Sequence, residues 1–223
     1  MLVAGDDREH LQASTPMTVV AEEDRVRANV YALLGNLLAA PPDEALLAAL
    51  AAIDPAPADG TLLAASWTML RDAATRAAPA AVAGEYQDLF IGLGRGEVVP
   101  YGSWYVTGFL MEQPLARLRA DLRELGIERQ PGVSEPEDHA AALCDVMSLL
   151  IAGESSVPLP RQQQFFAHHL EPWVGRFFRD LQQSGAAHFY RAVGQLGEQF
   201  VEVERRAFDI SVPAAGTTPA RDS

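Results

Sequence analysis

Between Phe189 and Ala207, six apolar residues (Phe189, Val193, Leu196, Phe200, Val203 and Ala207) follow one another at steps of four and three. Only an α-helix brings such a series onto one side. The same period recurs along the chain. Val26, Val30, Leu33, Leu34, Leu37 and Leu38 make a first stripe, which Pro41-Pro42 stops. Asp43 is placed to cap a short helix carrying Leu46, Leu47, Leu50 and Ile53, closed by Pro55 and Pro57. Leu63, Trp67 and Leu70 predict a helix over about 61–78, and Val82, Tyr86, Leu89 and Phe90 another over about 80–91. Pro114 marks the first turn of the next, whose stripe of Leu115, Leu118, Leu122 and Leu125 ends at Gly126. Phe165, Phe166, His169 and Leu170 predict a short helix that breaks before Pro172, and Trp173, Phe177 and Leu181 carry its successor. No run alternates with period two, and no segment repeats. A chain that buries its apolar surface only along helical stripes packs helix on helix, so the expected fold class is all-α, a single-domain bundle of about nine helices.

The stretch Ser134-Glu135-Pro136-Glu137-Asp138-His139 combines a helix start with several titratable groups. Ser134 and Glu137 have the spacing of a capping box, and Pro136 fits a first helical turn. The stripe Leu143, Val146, Met147, Leu150 and Ile151 then predicts a helix to about Gly153. On that helix Glu135, Asp138 and His139 share one side of the opening turn. Carboxylate and imidazole there suit metal binding or acid–base work. They equally suit a dipole-stabilised helix start with a hydrogen-bonded core histidine.

At 223 residues and 48% apolar, the chain supports one sizeable core. Residues 24–208 form the expected domain, between a mobile head, 1–23, and a mobile tail, 209–223. The longest apolar runs are broken by Asp145, Asn36 or Pro41, short of the length of a membrane span. Acidic residues at the N-terminus do not read as a secretion signal, and the single Cys144 fits a reducing compartment, so the expected location is cytoplasmic with no membrane insertion. A net charge of −13 disfavours nucleic acid and favours basic partners. All 17 basic residues are arginine, which removes Schiff-base chemistry and the Walker-type phosphate loop.

No metal centre is expected, since His10, His168, His169 and His188 offer no spacing that completes a tetrahedral set. The run Gly92-Leu93-Gly94-Arg95-Gly96 has a helix before it and Pro100 after it, so it reads as a flexible connection and not a dinucleotide fingerprint. Tyr101, Trp104 and Tyr105 place three aromatics beside that loop, where they either receive an apolar peptide or anchor the loop. Ser103 and Ser134 lack the spacing of a hydrolase motif.

The ordered pieces Val30-Tyr31-Ala32-Leu33-Leu34, Glu85-Tyr86-Gln87-Asp88-Leu89-Phe90 with Gly94, Pro100-Tyr101-Gly102-Ser103-Trp104-Tyr105, Glu135-Pro136-Glu137-Asp138-His139 and His169-Leu170-Glu171-Pro172-Trp173, followed by Phe189-Tyr190 and Phe200-Val201, give the chain a further reading. In these it resembles the TorD/DmsD family of redox-enzyme maturation chaperones, to which NarJ-like proteins are related. The resemblance implies a non-enzymatic cytoplasmic chaperone without a cofactor of its own. Its partner would be the immature catalytic subunit of a molybdenum- or tungsten-pterin oxidoreductase, bound at a twin-arginine leader until the cofactor is inserted. It also implies that Glu135, Asp138 and His139 belong to the binding site. A receptor for a basic and apolar leader needs carboxylates beside an apolar groove, so Tyr101, Ser103, Trp104, Tyr105 and Pro136 are expected to complete one groove with them, in which carboxylates meet arginines and aromatics cover the apolar segment. Trp104 beside Tyr105 departs from the family pattern. Alternatives are a protein that binds guanine nucleotide through the glycine run and a regulatory helical module that binds a folded partner. The chain is expected to be a monomer or a domain-swapped dimer, with hinges at about 92–102 and 127–133.

Overall fold

The computed structural model describes residues 2–4, 21–54, 61–92, 96–130, 132, 135–153 and 156–211, and for 2–4 and 211 the backbone alone. Ser134 of the expected capping box, Pro55, Pro57, Gly94, and most of the head and tail lie outside the described residues. Among the described residues, ten α-helices make up the body: α1 (Glu22–Ala39), α2 (Glu44–Ala51), α3 (Leu62–Arg76), α4 (Pro79–Tyr86), α5 (Gly102–Thr107), α6 (Gln113–Glu124), α7 (Ala140–Ala152), α8 (Leu159–His169), α9 (Val174–Gln183) and α10 (Phe189–Ser211). The fold is all-α, as the stripes require. The helix that periodicity does not foresee is α5, six residues without an apolar stripe. None of the described helices is long and apolar enough to cross a membrane.

Local chemistry places most helix ends. Asp43 accepts the Leu46 N–H at 2.8 Å, Thr61 accepts that of Ala64 at 3.2 Å, and Pro79 and Pro114 sit in the first turns of α4 and α6. Gly126, at φ +67°, takes the left-handed position that ends α6. The helix predicted over 80–91 changes character at Gln87, where a π-helical turn, Gln87–Ile91, runs to Gly92. Two points differ from the period-two reading. Leu2–Ala4 (β1) and Ile127–Arg129 (β2) pair antiparallel, Val3 opposite Glu128, so part of the expected 1–23 head and of the 127–133 loop forms a small ribbon. Strands of three residues are too short to show an alternation.

The core is a stack of helix pairs. α1 packs against α7, α10 against α9 and α3, and α2 against α3. Tyr31, Leu34 and Leu37 of α1, Val146, Met147 and Leu150 of α7, Phe177, Phe178 and Leu181 of α9, and Tyr190, Val193 and Leu196 of α10 are 0 % exposed. Close approach depends on missing side chains at two crossings. A Cβ at Gly35 would lie 3.3 Å from the Ala141 carbonyl oxygen of α7, and one at Gly197 would fall within the buried ring of Phe178.

Two buried carboxylates fasten the stack. Glu204 of α10, 1 % exposed, accepts both arms of the Arg27 guanidinium of α1 at 2.7 and 2.9 Å, and Arg27 also reaches Asp24 and Gln162. Glu85 of α4, 8 % exposed, accepts the backbone N–H groups of His188, Phe189 and Tyr190 at 2.8, 3.0 and 2.6 Å. It therefore caps α10 from another helix.

Candidate functional site

The stretches 100–105 and 135–139, far apart in sequence, meet edge to edge. Tyr101 and His139 form an isolated antiparallel bridge in which Gly102 N–H donates to the Asp138 carbonyl at 2.9 Å and Ala140 N–H donates to that of Pro100 at 2.8 Å. This pairing moves the start of α7. The predicted helix opening at Ser134 is replaced by a turn closed by the His139 N–H on the Pro136 carbonyl at 3.2 Å, and His139 itself is the N-cap. Pro136 therefore precedes the helix, and Glu135, Asp138 and His139 do not share a helical face. Backbone groups spent on 100–102 are not free to begin a helical ladder.

Each motif side chain has a definite task. The Tyr101 hydroxyl donates to Glu135, and the Tyr101 ring meets that of His139 edge-on, centroids 5.0 Å apart. Burial, with the neighbouring Glu135 carboxylate, pushes the Tyr101 hydroxyl above its usual range, so it stays a donor. Glu137 accepts Arg119 of α6 at 2.9 Å; burial alone would raise its carboxyl, and that guanidinium brings it below the ordinary value. Asp138, 3 % exposed, accepts the Ser103 N–H at 2.8 Å through Oδ2 and so caps α5. Its other oxygen, Oδ1, is buried and has no hydrogen-bond partner among the described residues.

His139 accepts the Ala141 N–H through Nδ1 at 3.1 Å, which requires the neutral ring with its proton on Nε2. Burial pulls its pKa down to about 4, against the opposing pull of Glu135 and Asp138. Below pH 6.5 the unfolded chain takes up a proton that the folded one refuses until about pH 4. The stabilisation is thus complete above pH 6.5 and lost as pH falls towards 4, by up to about 3 kcal/mol. His139→Asn keeps a capping acceptor without the titration. Denaturant unfolding at pH 7, 6 and 5 should show a shallower loss of stability for that variant than for the parent; parallel curves would mean that His139 charges freely in the fold.

The aromatic stretch divides between two sides. Gly102 and Val106 face a pocket of about 530 Å³ whose wall also includes Asp138, Asp121, Leu118 and Trp173. Trp104 and Tyr105 instead line a smaller pocket of about 250 Å³ with Glu97 and Asp180. Tyr105 donates to Asp180 at 2.8 Å, stacks on Trp173 at 5.5 Å and lies under the Arg176 guanidinium. Ser103 is 0 % exposed: its Oγ accepts the Met111 N–H at 3.2 Å and its carbonyl accepts the Thr107 hydroxyl at 2.8 Å. It shapes the turn after α5 from inside and presents no surface to a partner. Of the eight residues expected in one groove, Asp138 lines the larger of these pockets and Trp104 and Tyr105 the smaller, while Tyr101, Ser103, Glu135, Pro136 and His139 line neither.

From Val106, on the wall of the larger pocket, the chain continues into exposed apolar residues that periodicity does not reveal. Val106, Phe109, Leu110 and Met111 are 51, 68, 48 and 70 % exposed. Met111 is the non-glycine residue with positive φ, +60°, among the described residues, a conformation costing about 1 kcal/mol. The one signal in sequence is a cluster of apolar residues, Val106 and Phe109–Met111, that fits no helical stripe.

Comparison with known proteins was decided by a family model described as nitrate reductase delta subunit, which matches residues 56–179. The chain belongs to this family. The matched stretch contains both motif segments, α6 and α8. Relatives include "Chaperone protein TorD" of Vibrio cholerae serotype O1, 28% identical over 137 residues that cover 57% of this chain and 62% of the relative. "Tat proofreading chaperone DmsD" of Salmonella typhimurium is 32% identical over 143 residues, covering 63% and 66%. The chain thus spans a little under two thirds of the length of these relatives, which are named as chaperones and not as enzymes. Among solved structures, one described as a redox enzyme maturation protein from Archaeoglobus fulgidus superposes with a TM-score of 0.54 at 18% identity, covering 87% of this chain and 99% of that one. The two share a fold. The resemblance to the TorD/DmsD family drawn from the motifs agrees with these matches.

Proposed function

We propose that this family member is a redox-enzyme maturation chaperone that holds the immature catalytic subunit of a molybdenum- or tungsten-pterin oxidoreductase. It grips the arginine-bearing, apolar leader of that subunit in the cytoplasm, before cofactor insertion and export. The names of the relatives supply the class of activity, and the name of one of them ties it to twin-arginine proofreading. The observation that carries the site is the Asp138 carboxylate: the residue lines the pocket, with Oδ2 committed to α5 and Oδ1 buried and without a hydrogen-bond partner among the described residues. A buried carboxylate oxygen demands a hydrogen-bond donor, and a guanidinium supplies two in a planar fork. Val106, which lines the pocket, and the exposed Phe109, Leu110 and Met111 that follow it in the chain give an apolar segment a place to lie. A net charge of −13 accelerates encounter with a basic leader.

Asp138→Asn separates the two oxygens, because the amide oxygen still caps Ser103 while the amide nitrogen meets an incoming guanidinium with its own protons. Calorimetric titration with a synthetic peptide of two adjacent arginines followed by an apolar segment should show at least a roughly tenfold weaker affinity for the variant. Phe109→Ser should weaken the same peptide without altering the melting temperature. Folded variants that bind as the parent does would move the site away from this pocket.

A further inference from the structure

Helix α6 carries Asp121 to the last turn of α8, where His168 and His169 stand side by side. The Asp121 carboxylate oxygen Oδ2 lies 2.7 Å from His169 Nε2 and 3.8 Å from His168 Nδ1, and the three donor atoms all fall within 4.8 Å of one another. Bonds of about 2.0–2.2 Å to zinc put neighbouring ligands of a tetrahedron about 3.3 Å apart, between the two measured separations. We propose that Asp121, His168 and His169 form a site for a divalent transition-metal ion of the zinc class, with two imidazole nitrogens, one carboxylate oxygen and a fourth position open to the pocket.

Two features suit the site to this use. His169 is held rigidly: its ring packs on Phe165 with centroids 4.8 Å apart, and its carbonyl accepts the Trp173 indole N–H at 2.7 Å. A ligand fixed before binding loses little freedom on binding. His168 and Asp121 have side chains 55 % and 37 % exposed, so they are free to rotate into the closer, more even spacing that a tetrahedral ion requires. Arg117, on the same wall of the pocket, is turned to Gln113 at 3.4 Å and adds a positive charge that the carboxylate must offset. The donor set selects among cations, since magnesium and calcium prefer all-oxygen cages.

The test uses untagged full-length protein stripped with chelator, titrated with zinc by calorimetry and with cobalt(II) by visible absorption, without any peptide, so that its outcome is independent of the leader-binding proposal. The expected result is one ion per chain, cobalt d–d bands of low coordination number, and no heat with magnesium. His168→Ala removes an exposed ligand without touching the core and should lower zinc affinity at least about tenfold, and Asp121→Asn should do likewise. Zinc affinity weaker than about 100 µM in the parent, or unchanged in both variants, overturns the assignment; the second outcome would place the ion elsewhere.

Discussion

Replacing Glu204 with alanine should destabilise the protein by about 3 to 5 kcal/mol, the loss typical when one partner of a buried, doubly hydrogen-bonded ion pair is removed. The reason is what remains. The Arg27 side chain is only 18 % exposed and Glu204 1 %, so the variant keeps a guanidinium beneath Phe208 with Asp24 and Gln162 as its remaining acceptors. Burial works against the Arg27 charge, and the bonds to Glu204 more than offset it, holding its pKa above the ordinary value. Because the pair joins α1 to α10 and, through Gln162, to α8, its loss loosens three helices at once. Guanidinium denaturation should show a lower midpoint with an unchanged slope. The double variant Arg27→Met/Glu204→Leu should recover a large part of the deficit, since matched apolar groups need no counter-charge. A cost under about 1 kcal/mol for Glu204→Ala would mean that water reaches the pair.

The same contrast between local and distant causes explains what the sequence discloses. α1, α6, α9 and α10 are legible because a stripe such as Leu115, Leu118, Leu122 or Phe189, Val193, Leu196 needs only its own period to be read. Asp43 and Pro114 act within a single turn, so their places follow from their neighbours. α5 is different. Its start is fixed by Asp138, 35 positions away, and by the bridge between Tyr101 and His139. The same bridge shifts the start of α7 past Pro136, against local signals that favour an earlier opening. That the two motif stretches adjoin is expected from the sequence, but that they leave a buried carboxylate oxygen without a hydrogen-bond partner among the described residues is not. Nor does histidine spacing foretell a cluster whose third member, Asp121, lies 48 positions before His169.

Glu85 shows how a motif residue can belong to the frame and not to the binding surface, and it yields the second large effect. Glu85→Ala should cost about 3 kcal/mol, since it leaves the N–H groups of His188, Phe189 and Tyr190 without their acceptor at the head of a 23-residue helix. Phe189 and Tyr190 are 4 % and 0 % exposed, so water cannot replace the carboxylate at their amides without opening the contact between α4 and α10. Glu85→Gln should fall between parent and alanine: the amide oxygen can serve His188 and Tyr190, which share Oε1, while the amide nitrogen confronts Phe189 N–H, donor against donor. Hydrogen exchange locates the effect. In Glu85→Ala the amides of residues 188–190 should lose protection far more than those near Val201, whereas uniform loss along α10 would show that Glu85 contributes through packing of α4 instead of by capping.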